Sequence, residues 1–108
     1  MLFFLLVFLL YRGRKIQIAL CGDMWEDVQR FKTNDILIWP VYVNFSLKEW
    51  ELYEAEYANQ SLLASGCTLM VNSISEKPRA YGGAFYFLDG KIVSKLKYDV
   101  EEILYVEL

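Results

Sequence analysis

The run Lys15-Ile16-Gln17-Ile18 alternates polar and apolar residues, then turns apolar through Ala19 and Leu20 to Cys21. That pattern predicts a strand buried more deeply toward its carboxyl end. Gly22 and Asp23 break it, and Trp25, Val28 and Phe31 at spacing three predict a short helix to about Lys32. Thr33-Asn34-Asp35 reads as a turn, and residues 36–39 as a short apolar strand stopped by Pro40. The clearest helix opens at Ser46, where Ser46 and Glu49 fit a capping box, each side chain satisfying a free amide at the helix start. Trp50, Tyr53, Tyr57, Ala58 and Leu62 give it one apolar face. Gly66 suits a left-handed cap after it. Residues 67–72 predict another apolar strand, and residues 73–81 a polar loop containing Pro78. Asp89-Gly90 is a hairpin signal between residues 83–88 and 91–97, because a type I′ turn needs positive φ at both central positions. Residues 102–108 read as a final strand.

Strand, helix, strand, helix, strand, hairpin, strand is the order of an α/β fold, a sheet with helices on one face. The opposite face of such a sheet needs a second layer, and this sequence holds no further helices to make it. Residues 1–10 are uninterrupted apolar side chains. As a helix, ten or eleven residues rise about 16 Å, too short for a hydrocarbon core of about 30 Å. The run lacks the basic start and small-residue cleavage site of a signal peptide. A buried strand, or the ragged start of a shortened reading frame, is the favoured reading. The division expected is an apolar N-terminal segment, residues 1–14, and one domain, residues 15–108.

Composition sharpens this picture. The 108 residues are 56% hydrophobic and 17% aromatic, more apolar than one small domain needs, which points to a surface that meets a partner. A homo-oligomer is expected. A net charge of −3 and a pI near 4.9 argue against nucleic acid, whose phosphates call for clustered Lys and Arg. With no histidine in the chain, Cys-His and Ser-His catalysis are excluded within it, and most zinc sites as well; no metal and no cofactor are called for. Cys21 and Cys67 read as free thiols in a reducing cytoplasm, with membrane association through residues 1–11 as the alternative.

Cys21 is the candidate with chemistry. A thiol at the end of a buried strand, before a glycine and a helix start, projects from an elbow where backbone amides can receive an oxyanion. On local grounds alone the rival reading is a small core hydrophobe. Cys67 reads as core. Glu26 and Asp27 read as first-turn carboxylates favoured by the helix dipole. Glu49, Glu51, Glu54 and Glu56 read mostly as a solvated helix face, and the three tryptophans as core or interface. Gly82-Gly83 reads as a backbone bend.

The segment KIQIALCGDMWED resembles the nucleophile motif of the carbon–nitrogen hydrolases, the nitrilase superfamily. NDILIWPV is similar to that family's next strand, and WELYEAEYANQSLLASGCTLMVNS to its long helix and following strand. YGGAFYFLDGKIVSKL and EEILYVEL are similar to its later hairpin and terminal strand. The five blocks stand in the family's order over residues 15–108. The resemblance implies part of a four-layer α-β-β-α sandwich, with hydrolysis of amide or nitrile C–N bonds through a thioester on Cys21. It also implies a dimer built largely on the helices after the nucleophile. Gly22 is implied as an oxyanion-hole amide, Asp23 as a structural acid, and Trp39 and Asn72 as substrate-facing residues at strand ends. The family's general-base Glu, oxyanion-stabilising Lys and a further Glu precede its cysteine. In this sequence no acidic residue precedes Asp23, and the only lysine before Cys21 is Lys15 at the far end of its strand. The expectation is therefore a truncated hydrolase, inactive alone. Its rivals are a non-catalytic interaction or membrane-associated protein, and a subunit that completes its site with a separate N-terminal half.

Overall fold

The alternating and apolar runs become neighbouring strands of one sheet in the computed structural model of the chain, which describes residues 8–108. The strands are β1 (Phe8–Tyr11), β2 (Arg14–Ile18), β3 (Ile36–Val41), β4 (Cys67–Asn72), β5 (Ile74–Glu76), β6 (Arg79–Tyr81), β7 (Ala84–Leu88) and β8 (Lys91–Lys95). Six of them form a sheet in the order β1-β2-β3-β4-β7-β8, and β5-β6 pair separately. β2, β3 and β4 run parallel; every other pairing is antiparallel. The crossover from β2 to β3 carries the one-turn helix α1 (Asp23–Glu26) and a 3-10 turn (Val28–Phe31). The crossover from β3 to β4 carries α2 (Leu47–Leu62). Both move across the sheet in the same direction, and right-handed crossovers then put both on one face.

Burial follows that face. Leu37, Trp39 and Val41 of β3, Thr68, Met70 and Asn72 of β4, and Phe85 and Phe87 of β7 are buried beneath the helices, with Met24 of α1 and Trp50, Tyr57 and Ala58 of α2 closing the core. On the opposite face Ile16, Ile18, Ile38, Leu69, Ala84 and Tyr86 are only half-buried, and Val71 and Leu88 are exposed. A two-residue period with only one face covered is what separates the two sets. The fold is α/β, with helices on one face of its sheet. Of the apolar N-terminal run, Phe8–Tyr11 is β1, turned into β2 by Arg12-Gly13 with φ of 49° and 76°. The reading of residues 1–7 lies outside the described residues. No helix among the described residues is long and apolar enough to cross a membrane.

The capping box at Ser46 is present: Ser46 Oγ accepts from the Glu49 amide at 3.2 Å and Glu49 Oε1 from the Ser46 amide at 3.0 Å. Asp89 and Gly90 have φ of 52° and 79°, the two positive values that the hairpin signal calls for. Other expectations are corrected. The helix after Cys21 breaks at Asp27 (φ −149°, ψ 61°) into two short pieces. Pro40 does not end β3, which runs on to Val41. Pro40 has no amide hydrogen to give, but its carbonyl still accepts from the Cys21 amide at 2.9 Å, so the chain that leaves β2 stays beside it. Gly66 is not left-handed. A side chain there would meet Asp89 Oδ1 at 3.0 Å, and its carbonyl accepts from the Asp89 amide at 2.8 Å, so close packing of the hairpin turn is its role. The expected loop over residues 73–81 is the hairpin β5–β6, held by Tyr42 OH with Ser75 Oγ at 2.7 Å and by Asn44 Nδ2 donating to Arg79 O at 3.0 Å. The Lys77–Pro78 peptide in its turn is cis.

Residues 102–108 form no strand. Their alternation is correct for one, but the segment lies across the uncovered face rather than beside an edge, where no ladder can form. Ile103, Leu104 and Val106 share with Leu69, Val71 and Ala84 a cleft of about 420 Å³. Ile103 stays 71% exposed and Tyr105 83%.

An uncovered apolar face bordered by exposed apolar side chains has a measurable consequence. Static light scattering at micromolar concentration is expected to report a dimer or larger species. Val71→Lys with Leu88→Lys, two exposed positions on that face, should shift it toward the monomer; a monomeric wild type would show that the tail covers the face sufficiently.

Candidate active site

The backbone that leaves β2 still follows β3 for three residues: the Ala19 amide donates to Ile38 O at 3.0 Å and the Cys21 amide to Pro40 O at 2.9 Å. It then turns sharply. The Asp23 amide donates to Leu20 O at 3.0 Å, and Asp23 Oδ2 accepts from the Leu20 amide at 3.2 Å, closing residues 20–23 into a tight turn. Cys21 sits in that turn with φ of 45°. A left-handed backbone costs a residue with a Cβ about 1–2 kcal/mol, so it persists only where neighbours hold it. Here they do. The Cys21 amide is fixed on Pro40, and its carbonyl accepts the indole N–H of Trp39 at 2.9 Å. The thiol-bearing side is exposed.

Trp39 is fully buried, so it acts behind Cys21 and does not face an open pocket. Its ring stacks on Tyr57 of α2 (5.5 Å between centroids, 15° between planes), and Trp25 of α1 meets Tyr57 edge-on at 5.2 Å. Gln60 Nε2 donates to Met24 O at 2.7 Å and ties α1 to α2. Tyr57 and Gln60 are therefore the residues that brace the turn from the second crossover. The sequence marks Tyr57 only as part of an apolar helix face, and it gives no sign of Gln60. Burial pushes the Tyr57 phenol up, with smaller contributions in the same direction from Glu56 and Cys21.

Gly22 is exposed beside the thiol, with φ of −66°; a Cβ placed there would meet nothing within 4 Å. Its N–H has no hydrogen-bond partner among the described residues. Asn72 spends its amide on the scaffold. Oδ1 accepts from the Val43 amide at 2.7 Å, and Nδ2 donates to Val43 O and Gly82 O, each at 3.1 Å. The structure thus brings Cys21, Gly22 and Trp39 together and gives Asn72 to the connection after β3 and the loop before β7. No carboxylate, lysine or other side chain among the described residues forms a hydrogen bond with the Cys21 thiol; the Trp39 indole reaches only its carbonyl. Among the described residues, no group of three His, Cys, Asp or Glu side chains stands where it could hold a metal.

Cys67 lies at the start of β4, at the opposite end of the parallel strands. Burial raises its thiol pKa, outweighing the lowering by Arg14 and by a hydrogen bond with Tyr86. The same end holds a cleft of about 640 Å³, lined by Lys15, Lys32, Asn34 and Asp35 among others. Asp35 there is held below the usual carboxylate range by the Lys15 backbone N–H and the Arg14 guanidinium. In open α/β sheets ligands gather at the carboxyl ends of the parallel strands, where Cys21 stands and this cleft does not. Glu54, expected on a solvated face, instead accepts from Lys95 Nζ at 2.9 Å and from Tyr98 OH at 2.5 Å.

No protein-family model matches the chain, and no curated protein does. Among solved structures, it matches a CN-hydrolase superfamily protein from Xanthomonas campestris, determined with an arsenic adduct in its active site. The TM-score is 0.63 at 12% identity; the match covers 90% of this chain and 41% of the other, so this chain spans about two-fifths of that protein's length. At that identity the likeness is one of fold.

Two outcomes follow from the geometry. Iodoacetamide under native conditions should alkylate Cys21 faster than Cys67, read by peptide mass mapping; equal rates would contradict the exposed-turn geometry. Asn72→Ala should lower unfolding stability by about 2–3 kcal/mol in denaturant titration, because it strands buried backbone groups without partners.

Proposed function

We propose that this chain is the nucleophile-bearing portion of a carbon–nitrogen hydrolase, in which Cys21 attacks an amide or nitrile carbon. The observation that carries the reading is the exposed Cys21 held at φ 45° on the carboxyl side of parallel strand β2. A non-glycine residue kept in a strained conformation by two backbone hydrogen bonds and an aromatic stack is a device for aiming a side chain. The fold-level likeness to a CN-hydrolase superfamily protein supports it.

For an amide the steps are as follows. Cys21 Sγ, as thiolate, bonds to the carbonyl carbon, and the negative oxygen settles toward the N–H of Gly22. The C–N bond then breaks, and the amine leaves with a proton. Water attacks the thioester, releasing the carboxylic acid and restoring the thiol. Two protons must be moved, and no acid or base among the described residues is hydrogen-bonded to the Cys21 thiol to move them. The base and the cation for the oxyanion are therefore supplied by polypeptide outside this sequence, in the same gene product or in a separate subunit. The uncovered sheet face favours such an arrangement, since it is where a second layer would rest. In this reading Trp39 positions Cys21 and does not touch the substrate.

The test is acylation without turnover. Incubation with an activated ester such as p-nitrophenyl acetate should acetylate Cys21, detected by intact and peptide mass, and Cys21→Ala should abolish the adduct at that position. Small aliphatic amides, ω-amides and nitriles should show no steady hydrolysis by the isolated chain. Acetylation of Cys67 in preference to Cys21 would remove Cys21 as nucleophile. Steady turnover that Cys21→Ser abolishes would show that the chain carries its own base.

A further inference from the structure

We propose that a cleft on the helix-covered side of the molecule, walled by aromatic rings and two carboxylates, binds a small organic cation of the alkylammonium class. The cleft has a volume of about 380 Å³ and is lined by Trp25, Phe45, Glu49, Tyr53, Glu56 and Tyr57. Four of these six are aromatic, two are acidic and none is basic. That combination is specific in its chemistry. The face of an aromatic ring is electron-rich and attracts a cation within about 6 Å, and a carboxylate at the same wall adds charge without closing the cleft.

The rings are arranged as walls rather than as one flat stack. Trp25 and Tyr57 meet edge-on (5.2 Å, 71°), as do Phe45 and Tyr57 (5.9 Å, 82°), while Phe45 and Tyr53 are tilted by 37° at 5.1 Å. Tyr57 is buried and forms the floor. Trp25 and Tyr53 keep 42% and 38% of their surface in water. Each of these two rings packs one side on Tyr57 or Phe45 and leaves the rest in water beside the carboxylates, where a bound cation would desolvate it.

The acids come from one stripe of α2. Glu49, Tyr53 and Glu56 are spaced four and three residues apart and so share a helix face. Glu49 has one oxygen in the capping box and one remaining. Glu56 has no basic partner among the described residues. Glu54, on a neighbouring face of the same helix, is by contrast already neutralised by Lys95. The helix thus separates a paired acid from two acids turned toward the rings. The inference does not depend on Cys21 being a nucleophile, although the floor residue Tyr57 stacks on the same Trp39 that holds the Cys21 carbonyl.

Choline is the probe, and its uncharged isostere 3,3-dimethyl-1-butanol the control, titrated into the full chain by calorimetry and by tryptophan fluorescence. Choline should bind in the millimolar range and at least about 5-fold more tightly than the neutral isostere. Trp25→Ala and Glu56→Gln should each weaken choline by about 2- to 5-fold, whereas Glu51→Gln, a helix acid outside the cleft, should leave it unchanged. Glu56 is exposed, so its variant keeps the test valid if Trp25→Ala unfolds. Equal affinity for the two probes, no binding of choline, or an unaltered affinity in Glu56→Gln would overturn the proposal.

Discussion

Two successive parallel crossovers in the same direction, β2 to β3 and β3 to β4, are the constraint from which the rest of this molecule follows. Because each crossover is right-handed, both helices must lie on one face. The core is then one-sided, with Trp39, Met70, Phe85 and Phe87 beneath α1 and α2 and a row of half-buried aliphatic side chains on the reverse. The same constraint brings the carboxyl ends of the parallel strands together, so that the turn after β2 stands beside the end of β3.

That adjacency is what makes Cys21 more than a buried hydrophobe. Its amide and carbonyl are both held from β3, by Pro40 and by Trp39, and Trp39 is in turn held by Tyr57 from α2. A positive φ at a cysteine is affordable in such a setting, because relaxing it would break two hydrogen bonds and disturb an aromatic stack. Positioning of the thiol is therefore a property of three elements distant in sequence. Protonation chemistry is not provided by the same elements, which is why the proposed reaction needs groups from elsewhere.

The two ends of the parallel strands differ in chemistry. At the amino-terminal end, Arg14, Lys15 and Asp35 are engaged with one another, and burial pushes the Cys67 thiol pKa up. At the other end, the exposed thiol and the aromatic wall lie close together, with acids that form no ion pair among the described residues. The chain's excess of apolar and aromatic residues divides between this wall and the uncovered sheet face, and neither is hidden by the described fold.

The sequence by itself determined the elements whose signals are local. The capping box at Ser46 and Glu49, the paired positive φ of Asp89-Gly90, the alternation in β2 and the apolar runs of β3 and β4 all depend on near neighbours, and each is found as a cap, a turn or a strand. The turn after β2 was legible too, as was the one-sided cover of the sheet, although β2 ends at Ile18 and Cys21 stands in the turn itself. Signals that depend on distant partners were not. The alternation of residues 102–108 promises a strand, but a strand needs a free edge, and the segment meets a face. Gly66 looks like a helix cap until Asp89 packs against it. Glu54 looks solvated until Lys95 and Tyr98 arrive from forty residues away. Trp39 and Asn72 stand at strand ends in any reading, yet only the tertiary structure decided that Trp39 supports the cysteine from behind and that Asn72 binds backbone, because a buried polar group takes whichever partner the packing brings within reach.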